Sequence, residues 1–224
     1  MQCVRRPIVT VCFLIFCVLS PVHAASMWEK GSHYKELPFP VTTNDASKIE
    51  VVEAFWYGCP HCYEFNNDFL PAWEKNLPAD VDFRLLPVTF PGWVEHAEAF
   101  FAAQELDKLE EMHQPLFDAI QKNPRQYKDK DDFVELFQQH GVSEEAYEKL
   151  FEASGFRKIS KIDEQVKKAD GKTKAYRLSG VPALIVNGKY TISVRDAGGF
   201  SNMLKIANYL IAKERDEANV KAAP

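Results

Sequence analysis

The sequence predicts an α/β protein in which a long helical region interrupts a sheet. Two strand-like runs, 49–57 and 81–86, flank a segment whose apolar residues have helical spacing. Residues 91–175 show no strand pattern. The strand pattern returns at 181–186 and 190–192, and one more amphipathic helix follows. The predicted order is therefore βαβ, then helices, then ββα.

The run 49–57 is rich in β-branched and aromatic residues and hardly alternates, which is typical of a central strand covered on both faces. Phe65 and Phe69 then share one face of a helix, and Pro71 predicts a kink or a break near Asp68. Because a strand, a helix and a second strand follow one another closely, the two strands should pair in parallel through a right-handed crossover.

The second half of the chain supplies the helical insertion and a hairpin. Helical spacing recurs through 90–169, which we predict to be an all-helical insertion. Asn187-Gly188, between two strands, is the strongest short signal for a tight hairpin. The predicted domain that holds the sheet is therefore discontinuous and consists of 25–89 and 170–224.

The first 24 residues have the pattern of a secretory signal peptide. Arg5 and Arg6 precede an uncharged run at 8–19, and small residues end the segment at Ala24. The run is shorter than the roughly 20 residues of a transmembrane helix. We expect cleavage near Ala24 and export to an oxidising compartment, with an uncleaved anchor as the alternative.

Composition and charge favour some classes of function over others. With 46% hydrophobic and 26% charged residues, the composition is that of a soluble globular protein. The formal net charge of −5 at pH 7 argues against a nucleic-acid partner. Four histidines show no paired spacing that suits a metal: His33, His96, His113 and His140. We therefore expect neither a metal nor a cofactor.

After the predicted signal peptide, cysteine occurs only at positions 59 and 62. Cys59 falls where a helix presents unpaired N–H groups and a partial positive charge, which favours its thiolate. Pro60 suits the first helical turn, and His61 can add a hydrogen bond or a charge. Because a stabilised thiolate favours the reduced form, the motif predicts a donor of disulfides. A static disulfide and half of a zinc site are the alternatives.

Three features together resemble the DsbA family of disulfide oxidoreductases. They are Cys59-Pro60-His61-Cys62 after a buried strand, Gly180-Val181-Pro182 before a hairpin, and the helical insertion between them. The resemblance covers essentially the whole chain after the predicted signal peptide and implies a thioredoxin-like fold. It also implies a periplasmic protein dithiol oxidase that acts on reduced exported proteins and is reoxidised by a DsbB-like, quinone-linked membrane protein. We expect a monomer.

The same resemblance implies roles for individual residues. Cys59 is then the exposed nucleophile that carries the mixed disulfide with the substrate, and Cys62 is the buried resolving thiol. Val181 and Pro182 form a loop with a cis peptide bond opposite the cysteines. The backbone of this loop would pair with an extended substrate as an added strand does.

One position departs from the family pattern. Members often carry a buried acid beneath the cysteines and a basic residue on the neighbouring strand. Glu53 fits the acid, but Leu85 falls at the basic position, and Arg84 beside it faces the other way. We therefore expect Glu53 to lack a charged partner and its pKa to be raised by desolvation. A proton relay and a buried structural acid are both open roles.

Two other functions remain as alternatives. The nearer one is a disulfide isomerase or reductase on the same fold, which is disfavoured because only a short segment lies between Ala24 and the first strand. The other is a non-enzymatic chaperone or metal-binding module. We also expect the segment 27–40 to be an arm on the surface and His96 to be a surface histidine and not a site residue.

Overall fold

The structure is a computed structural model of the 224-residue chain and describes residues 27–153, 155 and 158–222. The predicted signal peptide lies outside the described residues. The strands are β1 (Lys35–Glu36), β2 (Ile49–Phe55), β3 (Val81–Pro87), β4 (Ala183–Val186) and β5 (Tyr190–Ser193). The helices are α1 (Pro60–Glu64), α2 (Leu70–Glu74), α3 (Val94–Glu105), α4 (Leu109–Lys122), α5 (Val134–Gln139), α6 (Glu144–Glu148), α7 (Lys161–Ala175), α8 (Val194–Ala197) and α9 (Phe200–Ala222).

One five-stranded sheet, in the order β1-β5-β4-β2-β3, carries the fold. Strand β2 lies inside it, parallel to β3 and antiparallel to β4. All seven residues of β2 are buried, which explains why its sequence hardly alternates. The α/β class and the parallel pairing of the first two strands of the βαβ unit are confirmed.

The two faces of β2 serve two separate cores. Val52 and Ala54 pack with the helical region between β3 and β4. Ile49 and Val51 pack with α9 on the other face. Since successive side chains of a strand point to opposite faces, one short strand joins both layers of the molecule.

The segment 27–40 lies at the surface as expected, with most of its residues exposed, but it is also part of the sheet. It contains β1, which pairs antiparallel with β5 at the edge of the sheet. Tyr34 and Leu37, on either side of β1, are buried in the two cores. A strand of two residues is too short to show any periodicity, which is why the sequence did not reveal it.

The helix after the cysteines is interrupted but not ended by Pro71. Between α1 and α2, the residues Phe65–Phe69 form a π-helical turn, in which the Leu70 N–H donates to the Phe65 carbonyl. This wider turn is the irregularity predicted near Asp68. The chain stays helical beyond it, as far as Glu74.

The region between β3 and β4 contains the helices α3 to α7 and, among the described residues, no strand. Its aromatic core includes Phe100, Phe117, Phe133 and Phe137, all buried. Helix α7 crosses the predicted boundary at 169/170, and the division into 25–89, 90–169 and 170–224 stays a prediction. No helix in the described part of the chain is long and apolar enough to span a membrane.

The turn between β4 and β5 has the conformation that its sequence indicates. Asn187 and Gly188 both have positive φ, 50° and 61°, as a type I′ turn requires. The Gly188 carbonyl accepts a hydrogen bond of 2.8 Å from the Val41 N–H. A Cβ added at Gly188 would overlap the Val41 backbone carbonyl. Glycine at this position therefore permits both the turn and the close approach of the backbone at Val41.

We expect Gly188→Ala to lower the free energy of unfolding by about 2–4 kcal/mol, because it adds both steric overlap and a disfavoured φ. Gly171→Ala is the matched control, since Gly171 lies within α7 with nothing near its Cβ position. That change should instead raise the free energy of unfolding by about 0.5–1 kcal/mol. Urea unfolding measures both, and equal midpoints for the two variants would contradict this account.

Candidate active site

Cys59 lies at the junction between the central strand and the helix that follows it. Strand β2 ends at Phe55, and a turn leads to Cys59, whose N–H donates to the Trp56 carbonyl at 2.9 Å. Cys59 is the N-cap of α1, with φ −90° and ψ 115°. Its Sγ accepts a hydrogen bond from the Cys62 N–H at 3.4 Å. The cysteine sulfur thus takes the place of the oxygen that usually caps a helix.

The two thiols, both free, have different environments. The pKa of Cys59 is lowered to about 6, mainly by a hydrogen bond from the Cys62 side chain, with further contributions from backbone N–H groups. Cys62 is completely buried, and desolvation raises its pKa well above the ordinary value. At neutral pH the pair therefore holds a thiolate at Cys59 and a thiol at Cys62.

The loop before β4 covers the reactive sulfur. The Val181 carbonyl oxygen lies 3.8 Å from the Cys59 Sγ, although the two residues are 122 positions apart. The Val181–Pro182 peptide bond is cis. In the described part of the chain, the Val181 N–H has no hydrogen-bond partner. Backbone groups next to the sulfur are thus available to an extended segment.

Pro60 and His61 occupy the first turn of α1. Pro60 stands where a missing N–H leaves no unpaired group. The His61 side chain is 76% exposed, with Nδ1 3.9 Å from Glu64 Oε2. Its backbone N–H and its charge both lower the pKa of Cys59, the charge least among the causes. His61 thus acts on the thiolate from the edge of the site.

Glu53 lies on β2 beneath the cysteines and is 1% exposed. Leu85 of β3 is its register partner, and Glu53 Oε1 has no hydrogen-bond partner. Burial raises the pKa of Glu53 to about 8, with smaller contributions from Glu74 and Cys59. The carboxyl is therefore largely protonated at neutral pH, close enough to Cys62 to raise the pKa of that thiol.

An aromatic stack supports the turn before Cys59. The Trp56 indole lies parallel to Trp93, with ring centroids 4.2 Å apart, and also stacks on His96 at 5.7 Å. A Cβ at Gly58 would overlap the Trp56 ring. The expectation that His96 lies at the surface is wrong: it is 7% exposed, and its Nε2 lies 3.0 Å from the Tyr127 carbonyl.

A hydrogen-bonded chain that sequence reasoning missed joins the site to the helical region. The Tyr57 hydroxyl and His113 Nδ1 are 2.8 Å apart, and His113 Nε2 is 3.2 Å from Asn66 Oδ1. Burial lowers the pKa of His113 to about 4, so the ring is neutral. With the proton on Nε2, every contact has a donor and an acceptor. The Gln121 amide adds a bond of 2.7 Å to the Tyr57 carbonyl.

Comparison with known families and proteins agrees with this arrangement. The family model described as a DSBA-like thioredoxin domain matches residues 93–209. The chain is 39% identical to the thiol:disulfide interchange protein DsbA of Azotobacter vinelandii, over 83% of this chain and 84% of the relative. It is 35% identical to the protein of the same name from Pseudomonas aeruginosa, over 96% and 99% of the two chains.

Solved structures give the same result. The crystal structure of Pseudomonas aeruginosa DsbA superposes with a TM-score of 0.77 at 38% identity, covering 86% of this chain and 97% of that one. The oxidoreductase DsbA from Xylella fastidiosa superposes with a TM-score of 0.72 at 30% identity, covering 82% and 96%. The thioredoxin-like fold predicted from the sequence is confirmed.

No group of three or more possible metal ligands occurs among the residues that the structure describes.

We expect Cys62→Ala to raise the pKa of Cys59 more than His61→Gln does. The Cys62 thiol is the main cause of the low value, whereas His61→Gln removes only an exposed charge and keeps the backbone N–H. The shift in His61→Gln should stay below about 1 unit. Thiolate absorbance against pH in the reduced proteins measures both midpoints. The reverse order would show that the imidazole dominates.

We expect Glu53→Gln to be more stable than the wild type, by a margin that grows with pH. The pKa of Glu53 is about 8 in the folded chain and near 4.5 in the unfolded one, so between these values only the unfolded chain loses the proton. The stability from protonated Glu53 is complete below pH 4.5 and is lost as pH rises through 8. The margin should grow by on the order of 3 kcal/mol from pH 5 to pH 8.

Urea unfolding of the reduced proteins at the two pH values measures this margin. Glu50→Gln is the matched control, since Glu50 is a buried glutamate on the same strand but accepts hydrogen bonds from Asn44. It should be destabilising at both pH values because it removes charge-assisted hydrogen bonds. A margin for Glu53→Gln that does not change with pH would mean that Glu53 is ionised in the fold.

Proposed function

This chain belongs to the DsbA family of thioredoxin-fold thiol:disulfide oxidoreductases, and we propose that it oxidises exported proteins by transferring a Cys59–Cys62 disulfide to them. The observation that carries the proposal is the contrast between the two thiols. Cys59, at the start of a helix and next to the Val181 carbonyl, has a pKa of about 6, whereas Cys62 is buried with a raised pKa.

The transfer takes two exchange steps. A substrate thiolate attacks the Cys59 sulfur of the disulfide, the Cys59–Cys62 bond breaks, and Cys62 leaves and takes up a proton. A second substrate thiolate then attacks the substrate sulfur of the mixed disulfide, and Cys59 leaves as a thiolate. Two electrons pass from the substrate dithiol to the cysteine pair, and the substrate keeps the new disulfide.

The low pKa of Cys59 assists the second step and favours its products. A thiol of lower pKa is the better leaving group. A pKa of about 6 in place of 9.0 stabilises the reduced form at pH 7 by about 1.4 kcal/mol, which makes the disulfide more oxidising by about 30 mV. The effect fades as pH falls through 6, where Cys59 becomes protonated. The hydrogen bonds at the helix start thus contribute directly to oxidising power.

Glu53 supplies the proton that Cys62 takes up. Its carboxyl is buried with a pKa of about 8, so it carries a proton at neutral pH, and it lies close enough to Cys62 to affect the pKa of that thiol. The missing basic partner at Leu85 supports this role, because a nearby cation would keep the carboxyl ionised.

The remaining assignments follow from family membership and from the sequence. The chain is exported by the segment 1–24, is cleaved near Ala24, and acts in the periplasm as a monomer on reduced exported proteins. Val181 and Pro182 receive the substrate backbone, and Pro60 and His61 tune Cys59. A DsbB-like, quinone-linked membrane protein reoxidises the dithiol, so no bound cofactor is needed.

We expect Cys59→Ser to abolish oxidation of a dithiol peptide. In reduced Cys62→Ser, the Cys59 thiolate should attack the disulfide of the oxidised peptide and hold it as a mixed disulfide, because no second protein thiol is present to displace the peptide. Mass spectrometry of the variants with the peptide tests both, and the reduction potential of the wild type should lie well above the roughly −270 mV of thioredoxin. A potential near that of thioredoxin would favour the reductase alternative. If Cys59→Ser acted on the reduced peptide as the wild type does, the activity would not depend on the Cys59 thiol, and the non-enzymatic alternative would be favoured.

A further inference from the structure

A groove lies against the loop that carries Val181 and Pro182, called here the Val181 loop. It has a volume of about 690 Å³ and is lined by the Val181 loop, by the end of α7 and by the start of α8. His61, two positions from Cys59, forms part of its wall. A segment that lies against the Val181 backbone with its sulfur at Cys59 therefore passes this groove.

The groove carries unpaired positive charge. Its charged lining consists of Lys35, Arg177, Arg195 and Asp196. Asp196 is engaged by Lys35, with Nζ 3.4 Å from Oδ2. Arg177 and Arg195 are exposed and make no ion pair with any residue that the structure describes. Two free cations thus flank the site in a chain whose formal charge is −5.

Arg177 has a backbone conformation in which arginine is unusual. Arg177 follows the C-terminus of α7 with φ 52°, a conformation that favours glycine or asparagine. Its N–H donates to the Lys174 carbonyl at 3.0 Å, and the Leu178 N–H donates to Thr173 at 3.2 Å. Glycine would close the helix at lower conformational cost, so the arginine side chain itself is the feature to explain.

We propose that Arg177 and Arg195 make the groove selective for substrate segments that carry Asp or Glu close to the reacting cysteine. The proposal rests on the oxidase function and deepens it by naming the class of sequence that the site prefers. Guanidinium groups bind carboxylates in a bidentate geometry, and both are placed beside the backbone groups that receive the chain. Lys or Arg at the same place in the substrate would be repelled by the two arginines.

The expected effect is moderate because both arginines are exposed. A solvent-screened pair of this kind changes a rate by up to about fivefold. Added salt weakens the effect, because exposed charges farther apart than the Debye length, about 10 Å at 0.1 M, are largely screened.

The test uses three dithiol peptides that differ only in one residue near the first cysteine, which is Glu, Gln or Lys. The second-order rate constant for oxidation by the disulfide form should fall in the order Glu, Gln, Lys, with about fivefold between Glu and Lys at low salt. High salt should bring the ratio close to one.

Variants identify the source of the preference. In R177Q/R195Q the ratio of the rate constants for the Glu and Lys peptides should fall to near one. R177K/R195K should keep most of the preference because it keeps the charge. Lys75→Gln is the control for net charge, since Lys75 is exposed, makes no ion pair in the described structure, and lies beyond the far end of α2.

The outcomes separate this inference from the proposed function. Equal rates for the three peptides, or a preference that R177Q/R195Q leaves intact, would overturn the selectivity and leave the oxidase function standing. An equal loss of preference in Lys75→Gln would assign it to overall charge and overturn the role of the groove. Failure of the wild type to oxidise even the Gln peptide would count against the oxidase function itself.

Discussion

Hydrogen bonding from Cys62 to the Cys59 sulfur, from the Cys62 side chain first and from its N–H as well, is the interaction on which the chemistry of the site depends. It exists because β2 stops at Phe55 and the chain turns at once into α1, which leaves Cys59 at the helix cap. Gly58 permits the turn, since any side chain there would overlap the Trp56 ring. The buried strand, the turn and the helix start thus hold one sulfur where backbone N–H groups stabilise its negative charge.

The site stabilises the negative charge of the Cys59 thiolate and disfavours ionisation of Glu53 and Cys62. Cys59 has a lowered pKa at the helix cap, while Glu53 and Cys62 below it have raised pKa values because the same core excludes water. The completely buried β2 produces both effects, because it ends at the site and carries Glu53 within its length. A cation opposite Glu53 would lower the pKa of that carboxyl, but its register partner is the uncharged Leu85.

The sequence predicted the features that depend on local patterns. The βαβ unit, the Asn187-Gly188 turn and the Cys59 helix start each follow from a few neighbouring residues. The position of Leu85 opposite Glu53 followed from the resemblance to the family, and the register of β2 and β3 confirms it. The links from His113 to Tyr57 and from His96 to Trp56 join residues 56 and 40 positions apart and are set by how helices pack, which leaves no local signal. Strand β1 was missed because its two residues carry no period.

The helical region between β3 and β4 also sets the order in which the site is assembled. Strand β3 ends at Pro87 and β4 begins only at Ala183, yet both border β2. A chain that emerges from its amino terminus therefore presents Cys59 and Cys62 long before the Val181 loop that covers them. Closing so large a loop is slow, since its entropy must be lost before the contacts form. During that interval Cys59 lacks the cover that the Val181 carbonyl gives its sulfur in the folded chain.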